Sequence, residues 1–185
     1  MKVAIIGQGY VGFTIAASAA EHYEVIGFDN NLKLVNQLNL GISHIEGVQS
    51  STIKKRIKEG KYQATSSGGD ISEAEIVVIA VPTPLTENRK PDLSFIESAC
   101  KTIGENIHNP ILVINESTSF PGTLRDIIKP TIERYSSKKI EHLYAISPER
   151  VDPGRLDFVQ KNTPRLYAGL TPEASAKTRN FYSKF

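Results

Sequence analysis

Apolar residues come in short unbroken runs separated by amphipathic stretches, the pattern of strands buried on both faces alternating with helices. Residues 2–6, 23–28, 75–81, 111–114 and 144–146 are such runs, rich in β-branched side chains. Residues 62–65 and 165–168 are shorter strand candidates. Between the runs, helical spacing appears at Ile15, Ala16, Ala19 and Ala20, at Leu32, Val35 and Leu38, and at Ile53 and Ile57. It returns at Phe95, Ile96, Ala99, Cys100 and Ile103, and at Leu124, Ile127, Ile128 and Ile132. Asn30 and Asn31 can cap the second helix and Gly41 stops it; Ser50 or Ser51 can cap the third, which ends at Gly60. Pro130 falls inside a helical pattern and should kink it or end it early. Thr171-Pro172-Glu173 opens a last helix with a capping hydroxyl, a proline at the first helical position and an acid in the first turn. Alternation of this kind predicts a Rossmann-type, doubly wound α/β fold: a mainly parallel sheet with helices on both faces.

Chemistry concentrates at the ends of the strands. The first strand runs into Gly7-Gln8-Gly9-Tyr10-Val11-Gly12, a GxGxxG that opens an Ala-rich helix, and the second strand ends on Asp29. Strand, glycines, helix, strand and acid together form the dinucleotide-binding fingerprint. Gly7 allows the tight turn, Gly9 lets backbone approach a pyrophosphate, and Gly12 lets helix and strand pack closely. The free N–H groups at the helix start face the phosphate charge. Asp29 can accept hydrogen bonds from the adenosine ribose, and its charge would repel a 2′-phosphate, so NAD is favoured over NADP. The competing reading is a glycine-rich turn in an unrelated α/β protein.

In doubly wound sheets ligands lie outside the carboxyl ends of the strands. One strand ends in Val81-Pro82-Thr83-Pro84, which presents the Thr83 hydroxyl and stiff backbone at that edge, unless it is simply a proline-rich strand terminator. Another ends in Asn115-Glu116-Ser117-Thr118 and brings two hydroxyls, with Pro121-Gly122-Thr123 beyond them. Lys33 either reaches the adenosine side or is an ordinary surface lysine. Cys100, on the apolar face of its helix, reads as a small core residue and not a nucleophile. The four histidines (His22, His44, His108, His142) are scattered and read as surface residues, with His44 the one that can line the active edge.

Composition changes this picture little. The chain has 185 residues, 39% hydrophobic and 23% charged, which is ordinary for a globular protein and fits one domain with an appendage. A net charge of +2 gives no electrostatic case for nucleic acid or an anionic membrane. No run of apolar residues is long enough to cross a bilayer, and the N-terminus lacks the basic head of a signal peptide. A single cysteine agrees with a cytoplasmic location, and no Cys/His spacing suggests a metal.

The four motifs, completed by Ser147-Pro148-Glu149-Arg150 with Pro153-Gly154, resemble the N-terminal domain of the UDP-glucose/GDP-mannose dehydrogenases. The Ser-Pro-Glu-Arg-Val form is most similar to the branch acting on UDP-N-acetylglucosamine or UDP-N-acetylmannosamine. The resemblance implies oxidation of a sugar C6 alcohol to a carboxylate with two NAD, through an aldehyde and an enzyme thioester, for surface polysaccharide precursors. It implies that Tyr10, Val11, Asp29, Thr83 and Thr118 contact NAD. Glu149 takes the role of the glutamate in the water step, with Thr118 helping to hold that water. Arg150 and Val151 match positions near the sugar nucleotide. Without the resemblance, the competing reading of Glu149 is a surface carboxylate paired with Arg150.

The family's cysteine nucleophile, lysine and asparagine have no counterpart in these residues. The last helix runs to Phe185 with no stop signal. The expected organisation is therefore an NAD-binding domain over residues 1–170 and the start of a connecting helix over 171–185, with C-terminal domains absent. A UDP-sugar would be the partner of the full-length enzyme, which the resemblance makes a homodimer or higher through its central helix. Phe181, Tyr182 and Phe185 are expected to be exposed where that helix is cut. Two other readings stand beside this one: a different two-domain NAD dehydrogenase, and a non-catalytic Rossmann module that senses NAD(H).

Overall fold

A computed structural model describes residues 1–149 and 164–185. Among these residues, seven strands form one sheet: β1 (Lys2–Ile6), β2 (Glu24–Phe28), β3 (Tyr62–Thr65), β4 (Ile76–Ile79), β5 (Leu112–Asn115), β6 (Leu143–Ile146) and β7 (Ala168–Gly169). Their order is β3-β2-β1-β4-β5-β6-β7, with all neighbours parallel except β6 and β7. The helices are α1 (Tyr10–Ala19), α2 (Leu32–Asn39), α3 (Ser50–Lys58), α4 (Ser94–Asn106), α5 (Lys129–Tyr135) and α6 (Pro172–Tyr182).

The unbroken apolar runs divide by the two-residue period of a strand. Val3, Ile5, Val78 and Ile114 pack on one face against Phe13, Ile15 and Ala16 of α1 and Phe181 of α6. Ala4, Ile6, Val77, Ile79 and Val113 pack on the other against Ile96, Cys100 and Ile103 of α4 and Ile132 of α5. Two cores on one sheet are why these strands carry apolar residues at every position instead of at alternate ones.

Several local expectations are corrected. The antiparallel edge strand is only Ala168–Gly169, because Arg165 turns inward to an ion pair instead of extending along β6. Asn31 caps α2, accepting from the N–H groups of Lys33 and Leu34, but α3 starts from Gln49, and the Ser50 hydroxyl instead accepts from the N–H of Ser43. Pro130 does not end its helix; the winding changes just before it. It sits in the first turn of α5, behind a π-helical turn over Leu124–Ile128, where the wider winding leaves the missing N–H without consequence. His142 is buried, its Nδ1 accepting from the N–H of Ile111 at 3.3 Å.

The largest correction concerns the last helix. Phe181 and Tyr182 are buried, and Phe185 is partly buried against the same core. The Phe181 ring stacks on Tyr23 at 5.6 Å and meets Tyr182 and Phe185 edge-on at 4.8 and 5.2 Å. Expecting exposure treated α6 as a helix waiting for a partner, whereas the sheet face above β5 and β6 is that partner. Phe181→Ala is expected to lower stability by about 3–5 kcal/mol in urea denaturation, the cost of emptying a filled aromatic site. A loss below about 1 kcal/mol would mean that α6 does not belong to the folded unit.

Candidate functional site: the crevice at the carboxyl edge

Strand order reverses between β1 and β4, so the chain leaves these neighbours toward opposite faces and opens a crevice between them. The ladder continues one step past the strands: the Ala80 N–H donates to the Ile6 carbonyl and the Gly7 N–H to the Phe28 carbonyl, each at 2.8–2.9 Å. Gly7 has φ +92°, and a Cβ there would lie 2.5 Å from the Ala80 carbonyl oxygen. A Cβ on Gly12 would lie 1.9 Å from the Gly7 oxygen. Both positions are closed to any side chain. Gly9 differs, since a Cβ there meets nothing within 4 Å. It faces open space at the start of α1, where no side chain caps the helix. Among the described residues, the N–H groups of Tyr10, Val11 and Gly12 have no acceptor. Three free donors at the positive end of a helix, with room in front of them, make a seat for an anion.

Asp29 closes one side of this seat. Its Oδ2 accepts from the Gln8 N–H at 2.8 Å and its Oδ1 from the Asn31 N–H at 2.9 Å. Each oxygen keeps lone-pair capacity for a ribose hydroxyl. Gln8, unremarked in the sequence beyond its place in the motif, is fully buried and points the other way. Its amide donates to the Ile5 and Gly7 carbonyls and accepts from the Tyr62 hydroxyl at 2.9 Å, which ties the glycine loop to β3. Burial, and secondarily the charge of Asp29, hold the Tyr62 phenol protonated far above its ordinary range. Tyr10 is exposed and Val11 half-buried at the mouth, and Lys33 is exposed on α2. The His44 ring packs 5.1 Å from that of Phe13. Partial burial lowers its pKa, against opposing pulls from a hydrogen bond to the Gln8 backbone and from Asp29.

On the β4 side, Val81 donates its N–H to the Ser117 hydroxyl at 2.9 Å, and that hydroxyl reaches back to the Ile79 carbonyl at 3.4 Å. Ser117 is buried and laces the ends of β4 and β5, so its hydroxyl is already engaged within the protein. Thr83 is the opposite case: its Oγ1 is buried with no hydrogen-bond partner among the described residues. A buried orphan hydroxyl at a crevice is a group that a polar ligand satisfies. Pro82 and Thr118 are exposed at the same edge, and the Asn115 amide shapes the turn by donating to the Ser117 carbonyl and the Ser119 hydroxyl. Glu149 follows β6 with its side chain 18% exposed. Arg150 and Val151 lie outside the described residues.

Sequence reasoning missed a cluster beside Glu149. Glu116 is buried, and its Oε1 receives Arg165 Nη1 at 2.5 Å and the Tyr182 hydroxyl. Burial pushes its carboxyl up to about 7, and Arg165 and Tyr182 draw only part of that rise back. Burial, followed by the Glu116 charge, raises the Tyr182 phenol further still. Cys100 is buried in the core and its thiol is pushed up to about 12, which agrees with a packing role. Among the described residues no group of His, Cys, Asp and Glu is placed to hold a metal, and no helix is long and apolar enough to cross a membrane.

The donors, the pinned acid and the orphan hydroxyl fit a dinucleotide, and with the sheet order they define a Rossmann-type dinucleotide-binding protein. Residues 1–185 match the UDP-glucose/GDP-mannose dehydrogenase family, NAD binding domain, and the chain belongs to that family. It is 30% identical to the UDP-N-acetyl-D-glucosamine 6-dehydrogenase of Pseudomonas aeruginosa over 98% of its own length and 43% of that protein's. The UDP-D-ManNAc dehydrogenase structure from Pyrococcus horikoshii superposes with a TM-score of 0.91 at 30% identity, over all of this chain and 45% of that one. A ternary complex of GDP-mannose dehydrogenase from P. aeruginosa gives 0.88 at 26% identity, over all of this chain and 44% of that one. The chain thus spans less than half the length of these relatives.

Glu116 sets a pH dependence whose sign follows from its raised pKa. The folded chain keeps a proton that an ordinary carboxyl near 4.5 releases, so stability is highest below that value and falls as pH rises through about 7. Glu116→Gln is expected to remove on the order of 1–3 kcal/mol of this decline. Urea melts of both proteins at pH 4.5 and 8 measure it; equal declines would show that Glu116 titrates normally.

Proposed function

We propose that this chain is the cofactor half of a dehydrogenase that oxidises the C6 alcohol of a UDP-N-acetylhexosamine, or a UDP-hexose, to the carboxylate with two NAD. The observation that carries the reading is the uncapped start of α1 behind an unobstructed Gly9, flanked by the doubly anchored Asp29. In this reading the N–H groups of Tyr10, Val11 and Gly12 hold the pyrophosphate. Asp29 takes the adenosine ribose hydroxyls, with Lys33 beside it. Val81, Pro82 and Thr83 line the β4 side of the crevice, where the Thr83 hydroxyl gains the partner it lacks. Ser117 keeps that wall in register, and Thr118 stands at the edge.

Bound NAD supplies the hydride acceptor for each oxidation. The chain's own residues orient the reactants and handle protons. In this reading Glu149, after β6, takes a proton from water, and Thr118 holds that water by its hydroxyl. Arg150 and Val151 belong to the sugar-nucleotide side. The nucleophile that carries the sugar between oxidations has no candidate here, since the one cysteine, Cys100, is buried in the hydrophobic core. By itself the chain is accordingly expected to bind NAD and NADH without oxidising a sugar nucleotide. The full-length protein would work as a homodimer or larger assembly.

Calorimetric titration with NAD and NADH tests the reading. Asp29→Ala should weaken binding by about 1–3 kcal/mol, the scale of hydrogen bonds to a charged group. Gly9→Val separates the site from the fold. Its side chain enters open space, so the melting temperature should stay within a few degrees while NADH binding is lost. Undiminished binding in that variant, or uridine-sugar-dependent NADH production by the 185-residue wild type, would overturn the proposal.

A further inference from the structure

The cluster at the carboxyl ends of β5 and β6 has a geometry that cofactor binding does not require. The Arg165 guanidinium is held on three sides. Its Nη1 donates to Glu116 Oε1 at 2.5 Å and to the Ser147 hydroxyl at 3.2 Å, and its carbon lies 4.2 Å from the centre of the Tyr182 ring. Tyr182 closes the arrangement by donating its own hydroxyl to the same Glu116 oxygen. The remaining edge of the guanidinium faces the active side, where Nη2 stands 3.7 Å from Glu149 Oε2. Arg165 is therefore shared by two carboxylates: one buried at the end of β5, the other partly exposed after β6. Stability alone is a poor account of this. Burying an ion pair costs about as much desolvation as it returns in attraction, and nothing in such a pair needs a second acid. A rigid planar fork fixed at one end is instead a device for holding an acceptor at the other.

We propose that Arg165 is a positioning residue: gripped by Glu116 and Tyr182, it holds the Glu149 carboxylate at the carboxyl edge of β6 and ties the orientation of that carboxylate to helix α6. The role rests on the reading of Glu149 as the acid that handles water. Removing Arg165 takes away one restraint on this carboxylate, and the geometry for proton transfer is then populated for less of the time. The charged and titratable groups facing one another here, among the described residues, are Glu116, Glu149, Arg165 and Tyr182, with the Ser147 hydroxyl between them.

The test has two arms. The first uses the 185-residue chain and needs no turnover: carbon-13 NMR of the glutamate carboxyls across pH, with an NADH titration of each variant. Glu149 raises and Arg165 lowers the Glu116 pKa, so Glu149→Gln should move its midpoint down from about 7 and Arg165→Met should move it up. NADH affinity should stay within about threefold of wild type in Arg165→Met. An unmoved Glu116 midpoint in Glu149→Gln would show that the two acids are not joined and would overturn the proposal. The second arm uses the full-length dehydrogenase. Arg165→Met is expected to lower kcat at least about thirtyfold with KM within about threefold, and Arg165→Lys to restore part of the loss. Unchanged kcat overturns the proposal, and so does a parallel collapse of folding and NADH affinity in the isolated variant, which would make Arg165 a fold residue only. A full-length wild type that oxidises no UDP-sugar sinks the functional reading instead, and the carboxyl titration still reports whether the acids are coupled.

Discussion

Gly12 lies against the Gly7 carbonyl at a separation no side chain allows, and this approach of α1 to the end of β1 governs the rest of the crevice. With the helix drawn onto the strand, its first turn stands over the carboxyl edge and its free N–H groups point outward. At the next residue the chain turns the Gln8 amide into the protein, toward the Ile5 carbonyl and the Tyr62 hydroxyl. The backbone N–H of that residue becomes available to Asp29. One steric limit thereby aligns a helix dipole, a glycine loop and an acidic residue from the next strand.

The consequence spreads across the sheet through hydrogen bonds that belong to neither helix nor strand. Asp29 links β2 to the loop after β1, Gln8 links that loop to Tyr62 on β3, and Ser117 links the loop after β4 to the end of β5. Each is made by a polar group at or next to a strand terminus, where the ladder stops and backbone groups would otherwise go unpaired. The rim of the crevice is laced to the same ladder that holds the core.

Much of this was legible in the chain. The runs at 2–6 and 75–81 could be read as buried strands because both faces of the sheet are covered, and the glycine spacing reports contacts between residues a few positions apart. What escaped was long-range or context-dependent. Glu116, Arg165 and Tyr182 are far apart in sequence, and each alone has an ordinary surface explanation. Arg165 sat inside a stretch whose apolar residues suggested a longer strand, and nothing local says that its side chain turns under the sheet edge. The aromatic pair of α6 was misjudged because its partner is a sheet face assembled from β5 and β6. The neighbourhood of Ser50 and Ser51 permits a cap, but the Ser43 N–H claims the Ser50 oxygen. Local rules lost wherever a distant group offered a better partner.

Gly27, next to last in β2, shows how far that dependence reaches. A Cβ there would sit 2.5 Å from the Gln8 side-chain oxygen and 2.7 Å from the Tyr62 hydroxyl. Positions 8, 27 and 62 thus share one small interior volume, and position 27 cannot grow unless one of the other two yields. Over evolutionary time the three should drift as a unit: a larger residue on β2 becomes tolerable only after the glutamine or the tyrosine has shrunk. The second residue of the glycine motif is then governed by a strand two positions away in the sheet.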